Sequence, residues 1–342
     1  MSGQEAIKVC WVKHDCKVRR NLESNRPGPR SGHTLNIMGL NGFLFGGIAE
    51  NKSKNNNNSD EFQEEASATN EMYNLSLGST GFEWALIPSK NPQPLPRWHH
   101  TATLYDNTQL IIFGGFHNPT HRLNDLWIFN IVDYSWKEPH IEHNKESSTP
   151  CQLVNHAWHN APSARGAHTA TIIGENLYIF GGYGGQGYSR RELDDLYALN
   201  LETMVWTKVQ AKGIPPEKRS GHQACAIEKK IYIFGGWNSS TQFNDLHILD
   251  TEFDPPVWSK LQSALQTPTW NLAACSVVAI PTWKIFTFGG TTGVLSDHDR
   301  QVLHHLLLLL LLLLLYFSFD KKYLIFYLYT IYRVLWLMKL QF

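Results

Sequence analysis

The stretch that decides the fold covers residues 219–261 and reads RSGHQACAIEKKIYIFGGWNSSTQFNDLHILDTEFDPPVWSKL. It contains four short apolar or alternating runs separated by Gly, Asn, Asp and Pro, and this pattern predicts four antiparallel strands. The second run, residues 231–234, is followed at once by the pair Gly235-Gly236. Because one four-stranded sheet cannot bury both of its faces, the stretch must pack against other sheets.

The rest of the chain contains imperfect copies of this unit. A double glycine recurs at a nearly regular interval, and an arginine precedes each of the first four pairs, with a histidine three residues after it. The arginines are Arg30, Arg97, Arg165 and Arg219, and the glycine pairs end at Gly47, Gly115, Gly182, Gly236 and Gly290. A tryptophan marks each predicted fourth strand: Trp84, Trp136, Trp206 and Trp258. Repetition at this period predicts one domain built from similar blades.

The combination of Arg, His, Gly-Gly, Asn/Asp-Asp-Leu and Trp resembles the kelch repeat, over roughly residues 11–290. The resemblance implies an all-β fold, a kelch-type β-propeller with one four-stranded blade per repeat. We expect four recognisable blades and a partial fifth, with an incomplete ring, in a domain of residues 1–300. Trp11 is expected to lie in a strand that completes the last blade. The blades are placed at about residues 30–88, 97–139, 165–210, 219–261 and 269–290.

Three segments do not follow the repeat. Residues 50–69, which include four consecutive asparagines, and residues 139–162, which are polar and rich in histidine, are predicted to be flexible insertions. Residues 301–342 form an apolar, low-complexity tail, and we expect this tail not to be part of the fold. Its first apolar run is shorter than the roughly 20 residues of a spanning helix. A membrane anchor at residues 306–332 and a folded helix stay as alternatives.

Composition excludes several classes of partner and location. Lys plus Arg and Asp plus Glu both number 30, so no charge bias indicates nucleic acid or an anionic membrane surface. The five cysteines form no CxxC pair, which is typical of a reducing compartment. The first 20 residues contain no secretory signal. Together these features predict a cytoplasmic protein that does not bind nucleic acid.

No residue pattern indicates catalysis or metal binding. His156 with His159, and His117 with His121, have spacings that metals sometimes use, but neither pair has a third ligand at a convincing distance. The glycine-rich residues 181–187 lack the Lys-Ser/Thr of a phosphate loop. We therefore predict no catalytic residue, no metal and no cofactor. The repeated arginines and aspartates are interpreted as structural pairs within blades, and the repeated histidines as buried rings hydrogen-bonded to backbone.

The candidate functional residues are those that interrupt the repeat in predicted loops. Exposed aromatic and arginine side chains at one end of a propeller are typical of a protein-binding surface. The loop at residues 237–240 is expected to be one that the other copies do not share. The candidates for partner binding are Trp98, Phe116, His117, Tyr183, Tyr188, Arg190, Arg191, Trp237 and Asn238.

These observations predict a noncatalytic protein-interaction scaffold, with a protein partner, that is part of a longer protein. Residues 96–104, 218–227 and 270–290 also resemble the N-terminal kelch propellers of axonemal dynein heavy chains, which implies a cytoskeletal or ciliary location. Two further alternatives stay open: a membrane-tethered propeller that uses the leucine tail, and a metal-dependent enzyme. Copper oxidases and iron-dependent specifier proteins are enzymes with a kelch propeller.

Overall fold

The computed structural model describes residues 26–52, 64–78, 81–88, 92–139, 160–185, 189–261, 270–277 and 284–291. Its secondary structure consists of 25 strands, so the predicted all-β fold is confirmed. Within these ranges there is no helix that is both long and apolar enough to cross a membrane. Trp11, the core of the predicted insertion 139–162 and the tail 301–342 lie outside the described residues.

The first repeat forms two sheets. Its strands are β1 (Arg30–Ser31), β2 (Thr34–Met38), β3 (Asn41–Phe45), β4 (Ile48–Lys52), β5 (Glu64–Ala68), β6 (Met72–Gly78) and β7 (Gly81–Ile87). The blade itself is the antiparallel sheet β2-β3-β6-β7, and β1, β4 and β5 form a smaller sheet. Strands β4 and β5 pair with each other. This differs from the flexible insertion expected over residues 50–69, whose two ends are extended strands.

The next three repeats build one blade each. The second has β8 (Thr101–Tyr105), β9 (Gln109–Phe116), β10 (Arg122–Asn130) and β11 (Ser135–Lys137). The third has β12 (Arg165–Gly166), β13 (Thr169–Ile173), β14 (Asn176–Phe180), β15 (Tyr183–Gly184), β16 (Arg191–Glu192), β17 (Leu196–Asn200) and β18 (Val205–Lys208). The fourth has β19 (Lys212–Gly213), β20 (Gln223–Ile227), β21 (Lys230–Phe234), β22 (Leu246–Asp250) and β23 (Val257–Leu261).

A partial fifth blade follows, made of the antiparallel strands β24 (Trp270–Val277) and β25 (Lys284–Thr291). The first long strands of successive blades, β2, β8, β13, β20 and β24, lie beside one another, so the blades are arranged around a common axis. Each of the four blades has the four antiparallel strands predicted from the sequence, with the short parallel strand β19 added to the fourth, and the partial fifth blade also agrees with the prediction. The ring is not closed within the described part of the chain.

Aromatic rings fill the wedge between neighbouring blades. In the second, third and fourth blades, the fourth-strand tryptophan packs on the phenylalanine that precedes the glycine pair of the preceding blade. The ring centroids are 5.1 Å apart for Phe45 and Trp136, and 5.3 Å apart for Phe113 and Trp206. The predicted role of the repeated tryptophans is confirmed for these interfaces, and the core therefore lies between the sheets.

Hydrogen bonds near the axis also join the blades. The repeated histidine of one blade shares a hydrogen bond between its Nε2 and a threonine hydroxyl of the preceding blade, at 2.9 to 3.0 Å. The pairs are Thr34 with His100, Thr101 with His168, and Thr169 with His222. The histidines were expected to be bonded to backbone; for these three rings, the partner of Nε2 is instead a side chain across the blade boundary. Burial lowers the pKa of His100 and His168 well below 6.5, and that of His222 to about 3.

Candidate partner-binding surface

One buried ion pair in each blade positions the loops at one end of the propeller. Arg97 is fully buried, and its two terminal nitrogens donate to both carboxylate oxygens of Asp125 at 2.8 and 2.7 Å. The same guanidinium donates to the carbonyl of Gly114 and, through Nε, to the carbonyl of Leu95. The contacts with Gly114 and Asp125 tie the segment that enters the blade to its second and third strands. Equivalent pairs are Arg165–Asp195, Arg219–Asp245 and Arg30–Glu71.

The glycine pairs allow neighbouring blades to approach closely at this same end. The amide of Gly47 donates to the carbonyl of Arg97 in the next blade, at 2.9 Å. A Cβ on Gly46 would lie 2.7 Å from that carbonyl oxygen, and both glycines have positive φ. Side chains would therefore separate the blades, which explains the double glycine in physical terms.

In each of the first four repeats, the residue directly after the glycine pair forms an antiparallel backbone pair with the residue directly after the arginine. These backbone pairs are Ser31–Ile48, Trp98–Phe116, Gly166–Tyr183 and Ser220–Trp237. Three of the predicted candidates, Phe116, Tyr183 and Trp237, thus occupy equivalent places in three blades, and a fourth, Trp98, is the partner of Phe116. We call the end of the propeller formed by these residues and by the loops after them the glycine-pair end. The opposite end, formed by the turns after the first and third long strands, is called the hairpin end.

At the glycine-pair end, an aromatic group links the second and third blades. The rings of Trp98 and Phe116 are 5.7 Å apart, and His99 lies 6.0 Å from Phe116. The Phe116 ring also covers Gly166 of the third blade, where an added Cβ would lie 2.7 Å from a ring carbon. Trp98 and Phe116 are both partly exposed. The structure therefore brings these two candidates together in a row that continues across a blade boundary.

Arg122, which the sequence analysis did not select, extends this row. Its guanidinium carbon lies 5.4 Å from the centroid of the Phe116 ring and 5.1 Å from that of Tyr183, so it bridges aromatic residues of two blades. Its Nε and Nη1 are enclosed and have no hydrogen-bond partner within the described residues. Burial, and then the positive charge of Arg190, lower the pKa of Arg122. Its place in the repeat could have indicated Arg122 from the sequence. Glu192 and Gln242 stand at the same place in the third and fourth repeats, two residues before the Asp-Asp-Leu and Asn-Asp-Leu segments.

Two other candidates, His117 and Asn238, contribute to turns. The Nδ1 of His117 lies 2.8 Å from the carbonyl oxygen of Pro96, and its ring lies 5.6 Å from that of His121. The side chain of Asn238 accepts a bond from the amide of Thr241 at 2.8 Å. Asn118 makes the same bond to the amide of His121. The loop at 237–240 was expected to be unlike the other copies, and this is corrected: the second blade closes its loop with the same type of asparagine turn.

The remaining candidates lie in the loop of the third blade. Arg190 and Arg191 are exposed. Tyr188 lies outside the described residues. Glu192 is buried and accepts a hydrogen bond from Ser239 of the fourth blade. This bond links the loops of the third and fourth blades, as Arg122 links those of the second and third. The glycine-pair end thus has side-chain contacts from the second blade to the fourth.

The metal-ligating types of side chain are dispersed over the described residues. Within the described ranges, no three His, Cys, Asp or Glu side chains group closely enough to hold a metal ion. His156 and His159 fall outside these ranges. The predicted structural role of the arginines and aspartates is confirmed by the ion pairs above. Asp245 differs by also accepting from His247 at 3.0 Å, and its pKa lies well below the usual value because His247 and Arg219 bond to it, although burial alone would raise it.

Comparison with known proteins gives a family and several relatives. The model of the KLHDC2/KLHL20/DRC7 Kelch-repeats domain matches residues 153–306. The chain is 30% identical over 291 residues to "Dynein alpha chain, flagellar outer arm" of Chlamydomonas reinhardtii, covering 80% of this chain and 6% of that protein. It is 30% identical over 284 residues to host cell factor 1 of Homo sapiens, covering 74% and 12%.

Acyl-CoA-binding domain-containing protein 4 of Arabidopsis thaliana is 27% identical over 319 residues, covering 80% of this chain and 44% of that protein. The chain therefore spans less than half the length of each of these relatives. The names of these relatives differ widely.

Proposed function

Because the chain belongs to the kelch-repeat family, we propose that it is a noncatalytic protein-interaction propeller whose partner binds at the glycine-pair end. The observation that carries this proposal is the row formed by Trp98, Phe116, Arg122 and Tyr183. Aromatic and arginine side chains are enriched at the energetic centres of protein interfaces, where each adds a large contact area. The row crosses a blade boundary, so a single partner segment could contact two blades.

The burial of the ionisable groups in the blades supports the noncatalytic part of the proposal. The repeated arginines donate to carboxylates and carbonyls, and the repeated histidines bond to threonines between blades. These groups have structural partners within and between the blades. We infer that the chemistry of the repeat is used to hold the blades together, while the loops supply the binding.

A finer proposal concerns the parent protein. The likeness to a dynein heavy chain was expected from residues 96–104, 218–227 and 270–290, and one of the relatives is the dynein alpha chain of a flagellar outer arm. We propose that this propeller serves a cytoskeletal or axonemal assembly. Host cell factor 1 has the same percentage identity, so the test is the location of the tagged full-length protein. Labelling of cilia or microtubules supports this finer proposal, and a purely nuclear signal would overturn it.

The main proposal is tested by capturing partners with the full chain and with two variants. Tyr183→Ala removes an aromatic side chain at the glycine-pair end. Phe253→Ala removes one at the hairpin end, where Phe253 is 58% exposed. We expect Tyr183→Ala to lose a partner that both the unchanged chain and Phe253→Ala retain. Equal capture by all three proteins, with thermal unfolding unchanged, would show that the glycine-pair end does not bind it.

A further inference from the structure

Arg122 is a partly exposed cation, and two of its donor atoms are enclosed without a hydrogen-bond partner among the described residues. Its guanidinium lies between Phe116 and Tyr183, and Nε and Nη1 lack hydrogen-bond partners. An enclosed donor atom of a charged group costs more than an ordinary unpaired donor, although the partial exposure of the Arg122 side chain limits this cost. Native proteins rarely keep such a group unless a ligand or a functional role offsets the cost.

The acidic side chains at or near the position of Arg122 in the second and third repeats are already hydrogen-bonded to other residues. Asp125 bonds to Arg97 and also accepts from the indole Nε1 of Trp127 at 2.9 Å. Asp195 bonds to Arg165, and Glu192 accepts from Ser239. Within the described residues Arg122 therefore has no carboxylate of its own, in contrast to the repeated arginines of the blades.

A second cation, Arg190, acts electrostatically on Arg122. The charge of Arg190 lies close enough to lower the pKa of Arg122, although burial contributes more. Two like charges held near each other repel, and an anion placed between them would relieve that repulsion. Arg191 is exposed on the same loop. The local excess is therefore at least two positive charges, although the whole chain is neutral.

We propose that Arg122 and Arg190 form a phosphate subsite that receives a phosphorylated side chain of the partner. A phosphorylated side chain carries about −1.5 to −2 charges and three acceptor oxygens, which suits two guanidinium groups better than one carboxylate does. The rings of Phe116 and Tyr183 hold the Arg122 guanidinium in place, so little side-chain freedom is lost when the anion binds. This inference rests on the proposed binding of a partner at the glycine-pair end.

The test uses the full chain and three pools of fluorescent peptides with randomised flanks. The central residue is phosphoserine, serine or glutamate, and binding is read by anisotropy. The phosphoserine pool should bind at least about tenfold more tightly than the other two, as expected for charge-assisted hydrogen bonds. Equal binding of the phosphoserine and serine pools, or of the phosphoserine and glutamate pools, would overturn the phosphate subsite.

Variants assign the binding to these arginines. Arg122→Gln and Arg190→Gln should each weaken phosphopeptide binding by about tenfold. Lys218→Gln removes an equal charge from an exposed position outside the row and should leave binding unchanged. Arg190 is exposed, so its variant keeps the test valid if Arg122→Gln does not fold. The same loss in all three variants would mean that only overall charge matters, which contradicts the subsite.

Phosphatase treatment of a captured partner separates the two proposals. If capture needs Tyr183 but survives dephosphorylation, the phosphate subsite is wrong and the interaction surface stands. If neither Tyr183 nor phosphorylation affects capture, the proposed surface itself is wrong. Loss of capture on dephosphorylation, together with loss in Arg122→Gln, supports both.

Discussion

At the scale of single residues, the arginine pairs differ in how far they are shielded from water. Arg97 is fully buried and holds Asp125, which is 18% exposed, through two bonds, whereas Arg30 holds Glu71, which is 40% exposed, through one. Removing either carboxylate leaves a buried arginine, but Glu71 is in contact with water and makes only one bond, so its loss removes less stabilisation than the loss of Asp125.

Asp125→Asn should therefore lower the free energy of unfolding by about 3 kcal/mol, and Glu71→Gln by less than about 1 kcal/mol. Urea unfolding of the two variants and the unchanged chain measures both values. Equal losses would show that the pairs are equally shielded, contrary to the contacts described above.

Ala167 is the clearest case of a residue in an unfavourable backbone conformation. Its φ is 54°, and the equivalent places in the first and fourth blades are Gly32 and Gly221, with φ of 65° and 62°. The amide of Gly221 donates to the Ala167 carbonyl and the amide of Ala167 to the His99 carbonyl, so bonds between blades fix this conformation.

Ala167→Gly should raise the free energy of unfolding by about 0.5–1 kcal/mol, because glycine removes strain but loses more chain entropy. Ala170→Gly, in the extended strand β13, is the matched control and should lower it by a similar amount. A loss of stability in both variants would mean that position 167 is not strained.

Prediction from sequence worked best for residues whose role repeats. Arg97, Gly115 and Trp136 recur at fixed places, so one interpretation of the unit applied to each blade. Arg122 was missed because its neighbours, Phe116 and Tyr183, come from two blades and only the packing of blades brings them together. Asn238 was judged distinctive because a one-residue difference in loop length hid its equivalence to Asn118.

At the scale of elements, the glycine pairs and the hairpin turns depend on glycine for two different reasons. Gly115 has φ of 100°, and an added Cβ would lie 2.8 Å from the His100 Cβ and 2.9 Å from the Trp98 carbonyl oxygen. Gly174, in the turn after β13, has φ of 57° and no atom within 4 Å of an added Cβ. Only the first position combines a positive φ with a close approach.

Gly115→Ala should cost about 3 kcal/mol or more, because strain and overpacking add, and Gly174→Ala about 1 kcal/mol. Thermal unfolding of the two variants compares them directly. Similar melting temperatures would contradict the inference that the glycine pair is required for blade contact.

Strands β4 and β5 show where the sequence was less informative. The asparagine run and the acidic cluster of residues 50–69 indicated a loop, and the flanking residues have no clear alternation of apolar side chains. Instead, β4 pairs with β1 and β5 pairs with β4, so the two strands add to the sheet that begins with β1. Backbone hydrogen bonding to an existing edge can therefore order a segment that its own composition does not.

At the scale of the whole molecule, the histidines between blades couple stability to pH. The pKa of His100, His168 and His222 is lower in the folded chain than the usual 6.5, so the unfolded chain binds protons first as pH falls. Their contribution to stability is complete above about pH 7 and is lost as pH falls through 6.5. The carboxylates have lower pKa values and are still ionised in this range.

Between pH 7.5 and pH 5.5, each buried histidine should lower the free energy of unfolding by about 1.4 kcal/mol, or about 4 kcal/mol for the three. Urea midpoints at the two pH values measure this change. His222→Gln should remove about a third of the pH dependence. A midpoint that does not move with pH would mean that these rings are protonated in the folded chain.

The central claim is that the blades form a scaffold and that a partner binds at the glycine-pair end. Hydroxyl-radical footprinting of the full chain, with and without its captured partner, tests this claim most directly because aromatic side chains react readily. We predict that the partner protects Trp98, Phe116, Tyr183 and Trp237 and leaves Val132 and Phe253 at the hairpin end unprotected. Protection of Val132 and Phe253, with no change at the four aromatic residues, would contradict the claim.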